Sequence, residues 1–275
     1  MAETGLMQKI DDIVGFIKGK VSKSPDIGMI LGTGLGNFVQ NIDNQIIIPY
    51  TEIPHLPAAT APGHSGNLIF GNVGNHYVVA MQGRLHLYEG NTPQTASILV
   101  RAMKKLGIHT IVISCASGGL NNLFQAGDIM LITDHINLTG MSPLTGPNLD
   151  EFGPRFPTMF DIYDKDLGKL AKQVALNNHI QLQSGVYVGY SGPHYCTRAE
   201  LNYFTIAGGD AVGMSLVHEA IAAVHSGIKI LALAAITDLA LPYAERHATE
   251  DEVIEAGKQI TVKFNKLVTE LLTKI

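Results

Sequence analysis

The stretch MILGTGLGN, residues 29–37, follows Pro25-Asp26 and a short apolar run, and its glycines stand at Gly32, Gly34 and Gly36. A dinucleotide-binding fold requires Gly-x-Gly-x-x-Gly there, because the third glycine lets the next helix pack on the strand. The spacing here is Gly-x-Gly-x-Gly, and position 37 is Asn37. Glu52 lies near the distance expected of a ribose-binding acid, but the surrounding PYTEIPHLP is too rich in proline to end a second parallel strand. What remains is a turn that offers one hydroxyl, Thr33, and backbone N–H groups free to face an anion. An ordinary tight turn after a strand would read the same way.

Outward from this turn, apolar runs rich in β-branched residues recur along the chain: DIGMILG, NQIIIPY, HYVVAMQG, HTIVISCA, DIMLITDHIN, SGVYVGYSG and IKILALAAITD. Between and around them the period changes to that of a helix. Leu6, Ile10, Ile13, Val14, Ile17 and Val21 predict an N-terminal amphipathic helix, and Val253, Ile254, Ile260, Phe264, Leu267 and Leu271 predict a C-terminal one starting near Asp251. Two more are expected over residues 92–107 and around VHEAIAAVHSG. Helices alternating with continuously apolar strands imply an α/β sandwich whose sheet is covered on both faces, with much parallel pairing.

The 275 residues, 46% of them hydrophobic, suffice for one large core, and no Ser/Pro/Gly-rich linker or charge run divides them, so a single domain over residues 1–275 is expected. A formal charge of −5 without a Lys/Arg block disfavours nucleic acid or an anionic membrane as partner. The two cysteines, Cys115 and Cys196, fit a reduced intracellular protein. With no signal peptide and no apolar run long enough to span a bilayer, a soluble cytoplasmic protein is expected.

Polar residues gather at the C-terminal ends of the apolar runs: Thr33; Arg84, His86 and Tyr88; Ala116-Ser117-Gly118-Gly119; Tyr195-Cys196; Thr237-Asp238. Strand ends of open α/β sheets are where ligands bind, so these clusters suggest one site. In MQGRLHLYEG, residues 81–90, the alternation of Arg84, His86 and Tyr88 would put a guanidinium, an imidazole and a phenol on one side of an extended chain. That combination suits an oxyanion with neighbouring hydroxyls, although a solvent-facing strand would alternate identically. ISCASGGLN at 113–121 offers a second set of exposed backbone N–H groups. In GMSLVHEAI, Ser215 stands before a helix, as an N-cap or as an anion ligand.

Other chemistries fit poorly. Gly-x-Ser-x-Gly is absent. His218-Glu219 begins like a zinc-binding His-Glu-x-x-His, but the fifth position is Ala222. No Walker lysine follows a glycine loop.

Taken together, GTGLGN, PGHSGN, MQGRLHLYEG, SGGLNN, GPNLDEFGPRFPTM and GGDAVGMS resemble, in order and over essentially the whole chain, the trimeric purine nucleoside phosphorylases. The resemblance implies a three-layer α/β/α sandwich around a mixed, partly barrel-like sheet, assembled as a homotrimer. It implies reversible attack of inorganic phosphate on C1′ of a nucleoside, giving free base and ribose 1-phosphate, with phosphate as co-substrate and no metal or organic cofactor. By motif, phosphate falls to Thr33, His64, Arg84, His86, the N–H of Ala116 and Ser215. The nucleoside falls to Tyr88, Met214, Tyr195, Cys196, Asp238 and, across a subunit boundary, Phe156. His86 and Asp238 stand at the catalytic positions.

The base pocket departs from that pattern. Oxopurine-specific members carry glutamate after the stacking aromatic and asparagine in an Ile-Thr-Asn motif; this chain has Cys196 and Asp238. A thiol accepts poorly from a purine N1–H, and an ionised Asp238 would repel a 6-keto oxygen and accept from an amine. A protonated Asp238 could instead donate to a keto group much as asparagine does. YCTRAE and ITD resemble the methylthioadenosine phosphorylase branch, whereas GRLHLYEG does not, and that branch's second acid is here Ala240. A shift towards amino-bearing bases is therefore expected, adenosine first, then cytidine. The 5′-hydroxyl could meet Glu250, His247 or Tyr243, and His218 replaces a family proline. A water-using nucleosidase, a weakly active or regulatory nucleoside-binding paralogue and a dinucleotide-dependent oxidoreductase are the competing readings.

Overall fold

Residues 6–20 form helix α1 (Leu6–Lys20), and Ile10, Ile13, Val14 and Ile17 are the face it buries, as their spacing requires. The computed structural model describes residues 5–275. After α1 come strands β1 (Ile27–Leu31), β2 (Asp43–Pro49), β3 (Asn67–Val73) and β4 (His76–Gln82), then helices α2 (Pro93–Ala96) and α3 (Ile98–Leu106). The second half runs β5 (Thr110–Gly119), β6 (Ile129–Asn137), α4 (Lys165–Asn177), β7 (Leu182–Gly189), α5 (Arg198–Ile206), β8 (Ala211–Gly213), α6 (Val217–His225), β9 (Lys229–Leu239) and α7 (Glu250–Leu272).

All nine strands belong to one mixed sheet in the order β2-β3-β4-β1-β5-β8-β7-β6-β9, and β9 also pairs with β5. The extra pairing closes β5, β8, β7, β6 and β9 into a ring, from which β1, β4, β3 and β2 extend as an open wing. This is the single-domain, partly barrel-like α/β architecture expected. Every residue of β1 is buried, as for a strand covered on both faces. Alternate residues divide between two cores. Ile30, Ile111 and Ile113 join α1, α3 and α6, whereas Met29, Leu31 and Val112 join α4 and α7. The central strands β1, β4, β5 and β9 run parallel, so their C-terminal ends open on the same side.

The structure departs from the expected elements in identifiable places. The helix expected over residues 92–107 is broken at Ser97, whose hydroxyl donates to the Pro93 carbonyl at 2.8 Å. β3 and β8 were not expected: Gly71 and Asn72 interrupt the apolar run of the first, and the second has three residues, too few for a period to show. Helices α4 and α5 are also additional to the expected elements, although Leu167, Ala171 and Val174 have helical spacing in the first and the capping box Thr197-x-x-Glu200 starts the second.

Candidate active site

Thr33 lies in the turn that leaves β1. Gly34 takes φ +77° there, and a Cβ on it would sit 2.7 Å from the Cα of Gly257 in α7. Thr261 of α7 donates to the Gly34 carbonyl at 3.0 Å. The glycine spacing thus lets a distant helix press on the turn, a different use from the pyrophosphate contact of a dinucleotide fold. Beside it, the Arg84 backbone N–H donates to His64 Nδ1 at 2.9 Å. That assigns the ring proton to Nε2, which donates to Thr33 Oγ1 at 3.0 Å. The 3.2 Å approach of Nδ1 to the Arg84 carbonyl then carries no proton. Burial, with His86 and Arg84 nearby, drives the His64 pKa down to about 3, so the ring is neutral. Thr33 accepts from His64 and keeps its own proton for an anion. Gly83, at φ +99°, allows this close approach, since a Cβ there would meet His64 Cβ at 2.7 Å.

Arg84 is 1% exposed, and its Nη2 donates to the Ser114 carbonyl. His86 donates through both its backbone N–H (2.7 Å) and Nδ1 (2.9 Å) to Glu89 Oε1, while the N–H and hydroxyl of Thr60 donate to Glu89 Oε2, each at 2.7 Å. Burial opposes ionisation of Glu89, but these hydrogen bonds from His86 and Thr60 prevail and hold its carboxyl down at about 2. His86 is thereby oriented, and its Nε2 has no hydrogen-bond partner among the described residues. Residues 84–88 do not form the extended segment that their alternation suggested. Leu87–Glu89 wind into a 3₁₀ turn that stacks Tyr88 on His86, with ring centroids 4.6 Å apart.

Ser215 does not cap α6: the cap is Leu216, at φ +68°, and it makes no side-chain cap bond. Instead the Ser215 N–H donates to Tyr187 Oη at 3.2 Å, which donates to the Ser215 carbonyl at 3.3 Å. The backbone of Ser215, which lines the cavity described below, is thereby pinned.

The opposite end is shaped by a bulge. β5 and β9 shift register between Ser117 and Gly118, so that Ser117 faces Ile236 and Gly118 faces Asp238, leaving Thr237 between. Such bulges re-aim side chains at the ends of ladders. Thr237 Oγ1 lies 3.0 Å from Asp238 Oδ1, and burial raises the pKa of that carboxyl despite the bond. Tyr195 stacks on His247 (5.6 Å, 14°), and His247 Nε2 donates to the Cys196 carbonyl at 2.9 Å. Burial also raises the pKa of the Cys196 thiol, leaving it neutral.

These ends meet in one cavity. It is lined by Thr33, His64, Arg84, His86, Tyr88, Ala116, Tyr195, Cys196, Met214, Ser215 and Asp238, every expected site residue except Phe156. Phe156 stands outside the cavity of its own chain and is 88% exposed. Of the three residues considered for the 5′-hydroxyl, His247 lines the cavity, whereas Glu250 opens α7 and Tyr243 is 68% exposed. His218 is buried, its ring nitrogens have no hydrogen-bond partner among the described residues, and burial, with His135 nearby, lowers its pKa to about 4.

Glu89, Ser114 and Tyr187, which orient His86, Arg84 and Ser215, are not among the expected site residues. Only Glu89 left a signal, since His86-x-x-Glu89 has the spacing of a capping box. The others come from elements remote in sequence.

The profile of the family described as the phosphorylase superfamily matches residues 26–273. Purine nucleoside phosphorylase 1 of Bacillus subtilis (strain 168) is 42% identical over 269 residues, covering 98% of this chain and 99% of its own length. The crystal structure of Schistosoma mansoni purine nucleoside phosphorylase in complex with adenosine superimposes with a TM-score of 0.93 at 38% identity, covering 98% of each chain. Isoform 2 of the Schistosoma mansoni enzyme, in complex with cytosine and ribose-1-phosphate, also gives 0.93 at 38% identity, covering 98% of this chain and 96% of its own. With sequence and fold matched over nearly its full length, the chain belongs to the phosphorylase superfamily and, within it, to the purine nucleoside phosphorylases.

Proposed function

We propose that Thr33, Arg84, His86, Ser215 and the Ala116 N–H seat inorganic phosphate beneath C1′ of a nucleoside whose base lies between Tyr195, Met214, Cys196 and Asp238. A phosphate oxygen bonds to C1′ as the C1′–N bond to the base breaks, and the bonding pair leaves with the base. The ribosyl group is cationic in between, so a phosphate anion below it stabilises the charge and then captures it. Asp238 faces the departing base, where a raised pKa lets it share a proton as negative charge accumulates. Holding both reactants in register supplies much of the remaining acceleration. The products are free base and ribose 1-phosphate, and the chemistry calls on no resident metal or organic cofactor.

The observation that carries this reading is the chain from Arg84 N–H through His64 to the Thr33 hydroxyl, which leaves a donor aimed beside a buried arginine. Incubation with a panel of nucleosides, with and without phosphate, tests it. Base release should depend on phosphate, and Arg84→Ala should abolish the stimulation. Release without phosphate would indicate a nucleosidase, and none at all a binding protein.

The base pocket supports a preference shifted from inosine and guanosine towards amino-bearing bases, adenosine first and cytidine second. Cys196 cannot act as the charged acceptor that guanine needs, and the Asp238 oxygen that carries no proton accepts from an exocyclic amine. Steady-state kinetics with inosine or guanosine strongly preferred over both would remove the proposal.

The proposed assembly is a homotrimer in which Phe156 covers a neighbour's nucleoside. Phe156, Phe160 and Met141 expose apolar side chains on one long connection, at 88%, 89% and 49%. Light scattering should give three times the 29.5 kDa chain mass, and a monomer would exclude shared sites. No described helix is long and apolar enough to cross a membrane, and the two free cysteines suit a reducing cytoplasm.

A further inference from the structure

Glu219 is 3% exposed, lies outside the cavity lining, and has no hydrogen-bond partner for either carboxylate oxygen among the described residues. Its Oε1 is 3.5 Å from Nε of Arg84. The guanidinium nitrogens therefore divide into three: Nη2 donates to the Ser114 carbonyl, Nε faces Glu219 as an ion pair without a hydrogen bond, and Nη1 has neither among the described residues. Ser114 is itself fixed, since its hydroxyl donates to the Ile30 carbonyl at 3.0 Å. The backbone before Arg84 is braced as well, with Tyr50 Oη donating to the Gly83 carbonyl at 2.7 Å.

Resting on the phosphorolysis reading above, we infer that Glu219 is a positioning residue that anchors Arg84 through Nε, so that Nη1 is the nitrogen presented to phosphate. Glu219 stands in the first turn of α6 and Ser215 just before it, so one rigid element sets both the arginine and the serine of the anion site. A planar guanidinium hydrogen-bonded at Nη2 and ion-paired beside Nε at 3.5 Å directs Nη1 more narrowly than a flexible cation would be directed. By charge alone Glu219 would work against this site, because a carboxylate behind Arg84 offsets part of the field that draws phosphate. Anchoring and charge thus make opposite demands, and substitutions separate them.

Glu219→Gln keeps an oxygen at the same reach and removes the charge; Glu219→Asp keeps the charge and withdraws it by one methylene; Glu219→Ala removes both. Each is compared with the parent in initial-rate assays that vary phosphate and nucleoside independently. The Gln variant should show a phosphate KM at or below that of the parent. The Asp and Ala variants should raise it by about tenfold or more, as for loss of a buried ion pair that orients the guanidinium, with nucleoside KM within about twofold of the parent on the same scale. If Ala does not fold, the Gln and Asp pair decides alone. An Asp variant with unchanged phosphate KM, an Ala variant that binds phosphate more tightly, or a parallel rise in both KM values would overturn the inference. A parent whose base release ignores phosphate would overturn the phosphorolysis reading itself, a result readable before any variant is made.

Discussion

Cys196 and Asp238 concentrate the specificity question in two side chains at one end of the cavity. The thiol is neutral and a weak acceptor, while Asp238 shares a hydrogen bond with Thr237 and is pushed towards protonation by burial. Cys196→Glu should restore an acceptor for N1–H and a 2-amino group. A gain of about 1.5–3 kcal/mol per charged hydrogen bond corresponds to a rise of roughly 10- to 150-fold in the guanosine-to-adenosine ratio of kcat/KM. An unchanged ratio would show that Cys196 does not face the base. At this scale much was legible in the sequence. Thr33, Arg84, His86 and Asp238 are polar residues placed where apolar runs end, and that placement alone marks them. Ser114 and Glu219 were not legible, because each acts through Arg84 from a buried position on another element, and nothing near either in the chain announces the contact.

The turn after β1 and helix α7 form a unit that no local pattern reveals. Gly34 and Gly257 are more than two hundred residues apart, yet their backbones touch, and Thr261 ties the turn to the helix. Gly34→Ala combines a left-handed backbone with a Cβ inside the radius of Gly257. It should lower Tm by roughly 2–8 °C, from about 1–2 kcal/mol of strain in a chain of this size. Phosphate KM should rise with it, since Thr33 is displaced, and thermal unfolding together with initial rates checks both. A stable variant with normal phosphate KM would mean the turn is free of α7. Long periodic elements such as α1 and α7 could be read from the sequence because their apolar spacing persists over many residues. The 3₁₀ turn at Leu87–Glu89 could not, because three residues carry no period and its alternation imitates a strand. Its geometry is set by its last residue, Glu89, bonding back to His86 and across to Thr60.

Across the whole molecule, the closed ring of β5, β8, β7, β6 and β9 meets the open wing at the C-terminal ends of β1, β4, β5 and β9, and the cavity occupies that junction. Histidines buried near it make stability depend on pH. His64 and His218 titrate in the fold at about 3 and about 4, below the ordinary 6.5, so the unfolded chain binds more protons over the interval between. Stability should therefore fall as pH drops from about 6.5 towards about 4. His218→Leu should flatten that slope in Tm against pH, whereas an unchanged slope would show that His218 is already protonated or solvated in the native state. The proposed function has these features seat free orthophosphate below a nucleoside, and phosphorus NMR of the turnover mixture tests it most directly. The inorganic phosphate signal should decline as a sugar phosphate ester appears in equal amount to the base released; base released while the inorganic phosphate signal stays constant would contradict it.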